Sequence, residues 1–141
     1  NKPMLKRVLV AIDGSDYSWR ALEYACSLVK LSGGSLVIMT VAPKNAPVPV
    51  LFADGDCLTA QIGDEILDAA RSVMRGQKIS CSYLLERGGN VADHILHAEK
   101  AENCDAIVLG SRGFGKLEGL FRNSVSQAIV ENADIPVIIV K

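Results

Sequence analysis

The chain has 141 residues, a formal net charge of -1 and a hydrophobic fraction of 49%. This length suits one domain with a sizeable core, so we expect a single domain over residues 1–141. Near-neutral charge gives no general attraction to nucleic acid or to an anionic membrane. No apolar run reaches the roughly 18 residues of a membrane span, and residues 1–7 lack the apolar stretch of a signal peptide. We therefore expect a cytoplasmic protein with no nucleic acid and no membrane among its partners.

Cysteines and histidines give no metal signature. The four cysteines form no C-x-x-C pair and no paired spacing with histidine, so they are predicted to be reduced thiols, mostly in the core; they are Cys26, Cys57, Cys81 and Cys104. His94 and His97 are three residues apart on a predicted helix, which is compatible with a metal, but the sequence marks no third ligand nearby. We interpret them as a surface pair and predict no metal site.

The first third of the chain predicts a strand, a helix and a second strand. The apolar run from Val8 to Ile12 is typical of a strand that is covered on both faces. A helical stripe follows and ends at Gly33-Gly34, which we interpret as the C-cap; the stripe is Leu22, Ala25, Cys26 and Val29. Leu36 to Val41 predicts the second strand, and the crossover is long enough for parallel pairing.

The middle of the chain begins with a long loop. Residues 42–57 contain three prolines and leave the same end of the predicted sheet as Asp13 and Gly110, so this loop is a candidate cover for a ligand. Apolar spacing from Ile62 to Val73 predicts the second helix. Residues 79–85 alternate apolar and polar side chains, as an edge strand does. Asn90 is expected to cap the third helix.

The last third of the chain completes an alternating pattern. Residues 106–109 predict a buried fourth strand, the fourth helix is predicted to begin at Asn123-Ser124, and Pro136 leads into the strand Val137 to Val140. The order β-α-β-α-β-α-β-α-β predicts an α/β three-layer sandwich. It consists of a five-stranded parallel sheet with four helices on its two faces.

A glycine-rich, cationic loop joins the fourth strand to the fourth helix. It has glycines at 113, 115 and 119 and three cations, Arg112, Lys116 and Arg122. A helix N-terminus presents unpaired amide donors and partial positive charge, and glycines allow a phosphate to approach the backbone closely. The loop therefore predicts a phosphate site. The cations would neutralise phosphate or would only be solvated.

Two common phosphate motifs fit this loop poorly. The Walker form is matched by Gly110, Gly115 and Lys116 but fails at Leu117, where a hydroxyl should hold magnesium. The dinucleotide fingerprint G-x-G-x-x-G is not present, because the spacing here is G-x-x-G-x-G. A third pattern is needed.

Gly110 and Gly113 are followed, after nine residues, by Asn123 and Ser124. This spacing resembles the nucleotide-binding branch of the universal stress protein family, whose pattern is G-x-x-G-x(9)-G-[ST]. Asn123 stands where that pattern has its third glycine. The alternative is that Gly110 and Gly113 only make a tight exit from the fourth strand and that Asn123 only caps the helix. The resemblance covers essentially the whole chain, including V-A-I-D-G-S at residues 10–15 and P-V-I-I-V at residues 136–140.

The resemblance implies a fold, an assembly and a ligand position. It implies an adenine nucleotide alpha hydrolase-like sheet with strand order 3-2-1-4-5 and a homodimer that pairs through the edge strand Val137 to Val140. Ligands of open parallel sheets bind beyond the carboxyl ends of the strands where the order reverses, which is here between strands one and four. Asp13 and Gly110 would face each other there.

The resemblance also implies ATP, with or without magnesium, as the ligand. Asp13 would accept hydrogen bonds from a ribose, or equally would bond the backbone of Gly14-Ser15 in a turn. Val41 would offer backbone groups to adenine, while Ser124 and Ser126 would give donors to phosphate; the alternative is that Ser124 caps the helix and Ser126 is merely exposed. The implied contact set is Ala11, Asp13, Val41, Leu109, Gly110, Arg112, Gly113, Asn123, Ser124, Val125 and Ser126.

Three functions are compatible with this sequence. The first is an ATP-binding stress protein that senses or buffers ATP, with at most slow hydrolysis, since the sequence has no clear general base and no Walker hydroxyl. No catalytic residue is predicted. The second is a dimeric interaction module without nucleotide, because the Asn123 side chain could crowd a phosphate. The third is a nucleotide hydrolase or adenylyl-transfer enzyme, which would turn over ATP with magnesium.

Overall fold

The computed structural model describes residues 5–43, 62–111 and 124–141. Within these residues, five strands alternate with four helices. In chain order the elements are β1 Arg7–Ala11, α1 Asp16–Ser32, β2 Ser35–Ala42, α2 Ile62–Met74, β3 Cys81–Arg87, α3 Val91–Ala101, β4 Ala106–Gly110, α4 Ser124–Asn132 and β5 Val137–Val140.

The strands form one parallel sheet with the order β3-β2-β1-β4-β5. This confirms the predicted α/β class and the strand order 3-2-1-4-5. The central strand β1 lies between β2 and β4, so that Val10 is level with Ile38 on one side and with Val108 on the other. The order therefore reverses between β1 and β4.

Two apolar cores cover the two faces of the sheet. Val8 and Val10 of β1 face the core that α1 and α2 complete, whereas Leu9 and Ala11 face the core of α3 and α4. All four are fully buried. Because consecutive side chains of a strand point to opposite faces, the unbroken apolar run of β1 serves both cores. Burying each valine or leucine stabilises the fold by about 1.5–3 kcal/mol.

Helix ends follow their capping residues. Ser15 caps α1 by accepting a hydrogen bond from the Ser18 amide at 3.2 Å. Gly33 ends the helix in the left-handed conformation, at φ 75°, and its amide donates to the Val29 carbonyl, which confirms the predicted C-cap. Asn90 caps α3 through its side-chain oxygen and the Asp93 amide, as predicted.

The predicted bounds of the third strand were wrong by two residues. The alternating pattern suggested residues 79–85, whereas β3 runs over Cys81–Arg87. Its length follows that of β2, since Leu36 is level with Cys81 and Ala42 is level with Arg87. Lys78 has a φ of 55°, so the chain is still turning there. Pairing with a neighbour, rather than the strand's own alternation, sets where β3 begins and ends.

The amino end of the sheet is fastened by a carboxylate. Asp105, just before β4, accepts hydrogen bonds from the amides of Lys6 and Arg7, and its own amide donates to the Arg7 carbonyl at 2.8 Å. The Arg7 side chain pairs with Glu102 at 2.8 Å. These contacts fix β1 beside β4 at the end of the sheet that is opposite the predicted ligand site.

Of the helices in the described ranges, none is long and apolar enough to cross a membrane. Most of the loop predicted to cover a ligand, from residue 44 onward, lies outside the described residues. Its role stays a prediction.

Candidate functional site

A crevice is expected where the strand order reverses, and α1 and α4 begin at this edge. Helix α1 lies on one face of the sheet with α2, whereas Ile129 of α4 belongs to the core on the other face. Neighbouring strands whose following helices go to opposite faces leave a cleft beyond their carboxyl ends. Val10 of β1 lies beside Val108 of β4. Asp13 follows Val10 by three residues, and Gly110 follows Val108 by two, so both residues lie just beyond the same point on the two strands. The topology thus brings these two predicted site residues to one edge.

The two carboxylate oxygens of Asp13 differ in their hydrogen bonding. Its Oδ1 accepts a hydrogen bond from the Ser15 amide at 2.9 Å, which confirms the turn-forming role weighed for this residue. Its Oδ2 is buried, and it has no hydrogen-bond partner in the part of the chain that the structure describes. Burying a carboxylate oxygen without a partner costs free energy, so such an atom points to a donor that arrives with a ligand or with water.

Gly110 serves helix packing. A Cβ atom at this position would lie 2.7 Å from the carbonyl carbon of Tyr17 and 2.8 Å from its oxygen. The first turn of α1 therefore packs directly on the end of β4. The next residue, Ser111, donates its amide to the Val140 carbonyl at 2.7 Å, which fixes the direction of the chain as it leaves β4. Sequence analysis weighed phosphate approach against a tight exit from the strand for this glycine, and it missed the contact with α1.

The first turns of α1 add aromatic and cationic groups to this edge. The Arg20 guanidinium lies 4.9 Å from the centre of the Tyr17 ring. Trp19 donates its indole N–H to the Gly14 carbonyl at 3.1 Å and so holds the turn that follows Asp13. Sequence analysis did not single out Tyr17 and Arg20 as a pair. Their i, i+3 spacing, which places two side chains on one side of a helix, was the available signal.

A second cation stands where β3 ends. Arg87 is the last residue of that strand, and its guanidinium lies 3.7 Å from the Asp64 carboxylate in the first turn of α2. The adjoining Gly88 donates its amide to the Ala42 carbonyl at 2.8 Å, which ties the ends of β2 and β3 together. This pair lies on the β2 side of β1, next to the strand that carries Val41.

Four of the predicted contact residues have side chains that face the α3–α4 core. Ala11 and Leu109 are fully or almost fully buried there, and Val41 and Val125 pack against the same core. Only their backbone groups are therefore placed to meet a ligand at the edge. Ser124 is exposed and Ser126 is half-buried, both in the first turn of α4.

The remaining predicted contacts lie outside the described residues. They are Arg112, Gly113 and Asn123, together with the loop cations Lys116 and Arg122. Their roles stay predictions.

No metal centre is seen in the described ranges. There, no group of three or more His, Cys, Asp or Glu side chains is arranged to hold a metal ion. The Nε2 atom of His94 lies 2.8 Å from the Gly88 carbonyl oxygen and therefore donates to it, so His94 holds the turn before α3. His97 is exposed.

Comparison with known proteins gives a consistent family and fold. The universal stress protein family matches residues 4–141. A universal stress protein of Thermus aquaticus, in the QAH/OAS sulfhydrylase 3′ region, is 32% identical and covers 98% of this chain and 100% of its own. The structure of universal stress protein UspA from Lactobacillus plantarum superposes with a TM-score of 0.80 at 20% identity, covering 99% of this chain and 100% of its own.

Two further structures of the same fold contain nucleotides. The universal stress protein from Archaeoglobus fulgidus in complex with dAMP has a TM-score of 0.70 at 23% identity and covers 99% of this chain and 100% of its own. A universal stress protein in complex with cAMP has a TM-score of 0.73 at 22% identity and covers 96% of this chain and 97% of its own. The family match over nearly the whole chain, the Thermus relative and the shared strand order lead to one conclusion: this chain belongs to the universal stress protein family.

Proposed function

We infer that this universal stress protein binds an adenine nucleotide in the crevice beyond the carboxyl ends of β1 and β4. The observation that carries the inference is the buried Oδ2 of Asp13, which has no partner among the described residues. It lies next to the point where the strand order reverses. A sugar hydroxyl of a nucleotide is a suitable donor to this oxygen, because Asp13 is already held in place by its bond to the Ser15 amide.

The ligands of proteins with the same fold support this assignment. The complexes with dAMP and cAMP both present adenine, a pentose and a phosphate. In this chain the pentose would meet Asp13, and adenine would meet the backbone at Val41. The phosphates would lie at the start of α4, where Ser124 and Ser126 stand in the first turn and the helix dipole favours negative charge.

ATP is the specific ligand that we propose, and its binding would serve stress sensing or regulation rather than rapid turnover. Magnesium would reach the site on the phosphates, because the described residues offer no set of side chains arranged for a metal. Hydrolysis is expected to be slow, since Leu117 stands where a Walker motif has its magnesium-binding hydroxyl.

The first test asks whether nucleotide is present. Purified protein is denatured, the supernatant is analysed for released nucleotide, and the refolded or nucleotide-free protein is titrated with ATP, AMP and GTP by calorimetry. We expect an adenine nucleotide in the supernatant and tighter binding of ATP than of GTP. No release and no binding would favour the dimeric interaction module instead, and repeated turnover of ATP with magnesium would favour the enzyme.

The second test asks whether Asp13 is the contact. Asp13→Asn keeps an oxygen for the Ser15 amide but removes the charge. It should weaken ATP binding by about tenfold or more, since a hydrogen bond to a charged group contributes about 1.5–3 kcal/mol. Asp68→Asn is the matched control, because Asp68 is an exposed carboxylate on α2 that pairs only with its helix neighbour Arg71 in the described part of the chain. Equal affinities of the two variants would contradict the proposed contact.

A further inference from the structure

A cavity of about 520 Å³ lies at the amino end of the sheet, beside the end of α3. This volume is within the range of small-molecule sites. We call it the amino-end cavity. It is at the opposite end of the strands from the proposed nucleotide crevice, so an inference about it does not depend on nucleotide binding. The polar residues that line it come from the starts of β1 and β2, the end of α3 and the turn before β4; they are Lys6, Arg7, Ser35, Glu102, Asn103 and Asp105.

Hydrogen bonds fasten the walls of the amino-end cavity to each other. The Asp105 carboxylate accepts hydrogen bonds from the amides of Lys6 and Arg7 at 2.9 and 3.2 Å. The Ser35 amide donates to the Lys6 carbonyl at 2.9 Å. The Arg7 guanidinium donates to Glu102 at 2.8 Å and reaches the Ser35 hydroxyl at 3.4 Å. Because these walls are already held in place, a ligand would bind with little ordering of the protein.

The charged groups of the amino-end cavity balance each other. Two are cations, on Lys6 and Arg7, and two are carboxylates, on Glu102 and Asp105. Asp105 already accepts from two backbone amides, and Arg7 is paired with the Oε1 atom of Glu102. The Lys6 ammonium forms no ion pair within the described residues, and the Oε2 atom of Glu102 is not used by the bond to Arg7. One positive and one negative group are thus available to a ligand.

The end of α3 adds acceptors on the negative side. Glu102 is the C-cap of this helix, so its carboxylate stands near the last helical carbonyls, which carry partial negative charge. An ammonium group donates three hydrogen bonds and suits such a set of acceptors. The Lys6 ammonium, the Ser35 hydroxyl and the Asn103 amide are donors that suit a carboxylate.

We propose that the amino-end cavity binds a small zwitterion of the class of free α-amino acids. The ammonium group of the ligand would bond to Glu102 and to the end of α3, and its carboxylate would bond to Lys6 and Ser35. A simple anion would meet two carboxylates in this cavity, and a simple cation would meet Lys6 and Arg7. Charge complementarity therefore favours a ligand that carries both charges.

The first test compares L-alanine with two analogues that each lack one charge. Propionate has no ammonium group, and L-alaninamide has no carboxylate. Each compound is titrated into the isotope-labelled full-length protein while the backbone amide signals are followed by NMR. L-alanine should shift the signals of Lys6, Ser35 and Glu102 until they saturate. Each analogue should bind at least about tenfold more weakly, because it gives up a hydrogen bond between charged groups. The absence of a saturable shift with L-alanine, or equal binding of either analogue, would overturn the proposal.

The second test removes one charge of the cavity at a time. Lys6→Gln and Glu102→Gln should each weaken the binding of L-alanine by about tenfold or more. Both variants should fold, because the Lys6 side chain is exposed and Glu102→Gln keeps an oxygen for Arg7. Lys100→Gln is the matched control, since Lys100 is an exposed lysine in the last turn of α3 that does not line the cavity. Unchanged affinity in Lys6→Gln, or equal weakening by Lys100→Gln, would contradict the proposed contacts.

Discussion

Gly110 and Tyr17 are in such close contact that a Cβ atom on the glycine would lie within 2.9 Å of the Tyr17 backbone and Cβ. The packing of α1 on β4 therefore requires glycine at this position. This is a requirement of the folded chain itself, and it holds whether or not a phosphate is bound.

Gly110→Ala should therefore lower the free energy of unfolding even without a ligand. Overpacking of this kind costs about 1–3 kcal/mol, and the contact atoms here belong to backbone that has little room to move. Urea unfolding followed by circular dichroism measures the loss. Gly33→Ala is the comparison, because it introduces strain from a positive φ where nothing lies within 4 Å of the new Cβ. A Gly110→Ala protein as stable as the wild type would show that α1 adjusts without cost.

Asn123→Gly tests the position where the chain departs from the family pattern. If this position needs a positive φ and close approach of a phosphate, glycine removes both the strain and the side chain. ATP affinity should then rise about fivefold, which corresponds to about 1 kcal/mol. Calorimetry of the two proteins measures the change. A loss of affinity would mean instead that the amide of Asn123 is itself a phosphate ligand.

Glu99 predicts a pH dependence of stability. It is 4% exposed, and its Oε2 has no hydrogen-bond partner among the residues that the structure describes. Burial raises the pKa of this carboxyl group, Lys100 opposes the shift and Asp134 adds to it. The folded state therefore holds the proton more tightly than the unfolded state. The contribution of Glu99 to stability is therefore fully present below the pKa that this group has in the unfolded state. It is lost as the pH rises through the pKa that the group has in the folded state.

Glu99→Gln should remove this dependence. The difference in urea midpoint between Glu99→Gln and the wild type should be small near pH 4 and should grow in favour of the variant as the pH rises. Glu86→Gln, which changes an exposed carboxylate of β3, is the control and should show no such trend. A difference for Glu99→Gln that is constant from pH 4 to pH 8 would contradict the prediction.

The edge strand β5 predicts a homodimer. Ile139 is 38% exposed, and no described strand lies on the outer side of β5, so its backbone is open to a second copy of the chain. Ile139→Lys should therefore shift the mass measured by light scattering toward the monomer. Val73→Lys is a matched control, because Val73 is 40% exposed on α2, which packs against β2 and β3. A wild-type protein that is monomeric at tens of micromolar would contradict the prediction.

Patterns along the chain predicted most of the fold but less of the site. The bounds of β5 were correct because Pro136 marks its start, and the Gly33 and Asn90 caps were correct because each acts on its own helix. The start of β3 was missed because β2 determines it. The role of Gly110 was missed because Tyr17 is 93 positions away in sequence (110 minus 17), and no local pattern reports such a contact.

Asp13 also shows which contacts can be predicted from the sequence and which cannot. Its bond to Ser15 was foreseeable, because a carboxylate next to Gly-Ser forms a local turn. The burial of its second oxygen depends on how the neighbouring strands and α1 surround it. That arrangement cannot be predicted from the sequence. The structure brings Asp13 and Gly110 to one edge of the sheet, as the sequence predicted, while the groups that surround them there emerged only from the packing.

The position of β1 has a consequence for how the chain folds. The two strands that pair with β1 are synthesised at very different times, because Val8 pairs with Leu36 on one side and with Ala106 on the other. The first strand-helix-strand unit can form early, yet one edge of its most apolar strand stays open until the fourth strand has left the ribosome. Closing so long a loop is slow, and an open apolar edge is prone to aggregate meanwhile. Asp105, whose side chain bonds to the amides of Lys6 and Arg7, then helps to hold β4 beside β1 and so keeps that edge covered.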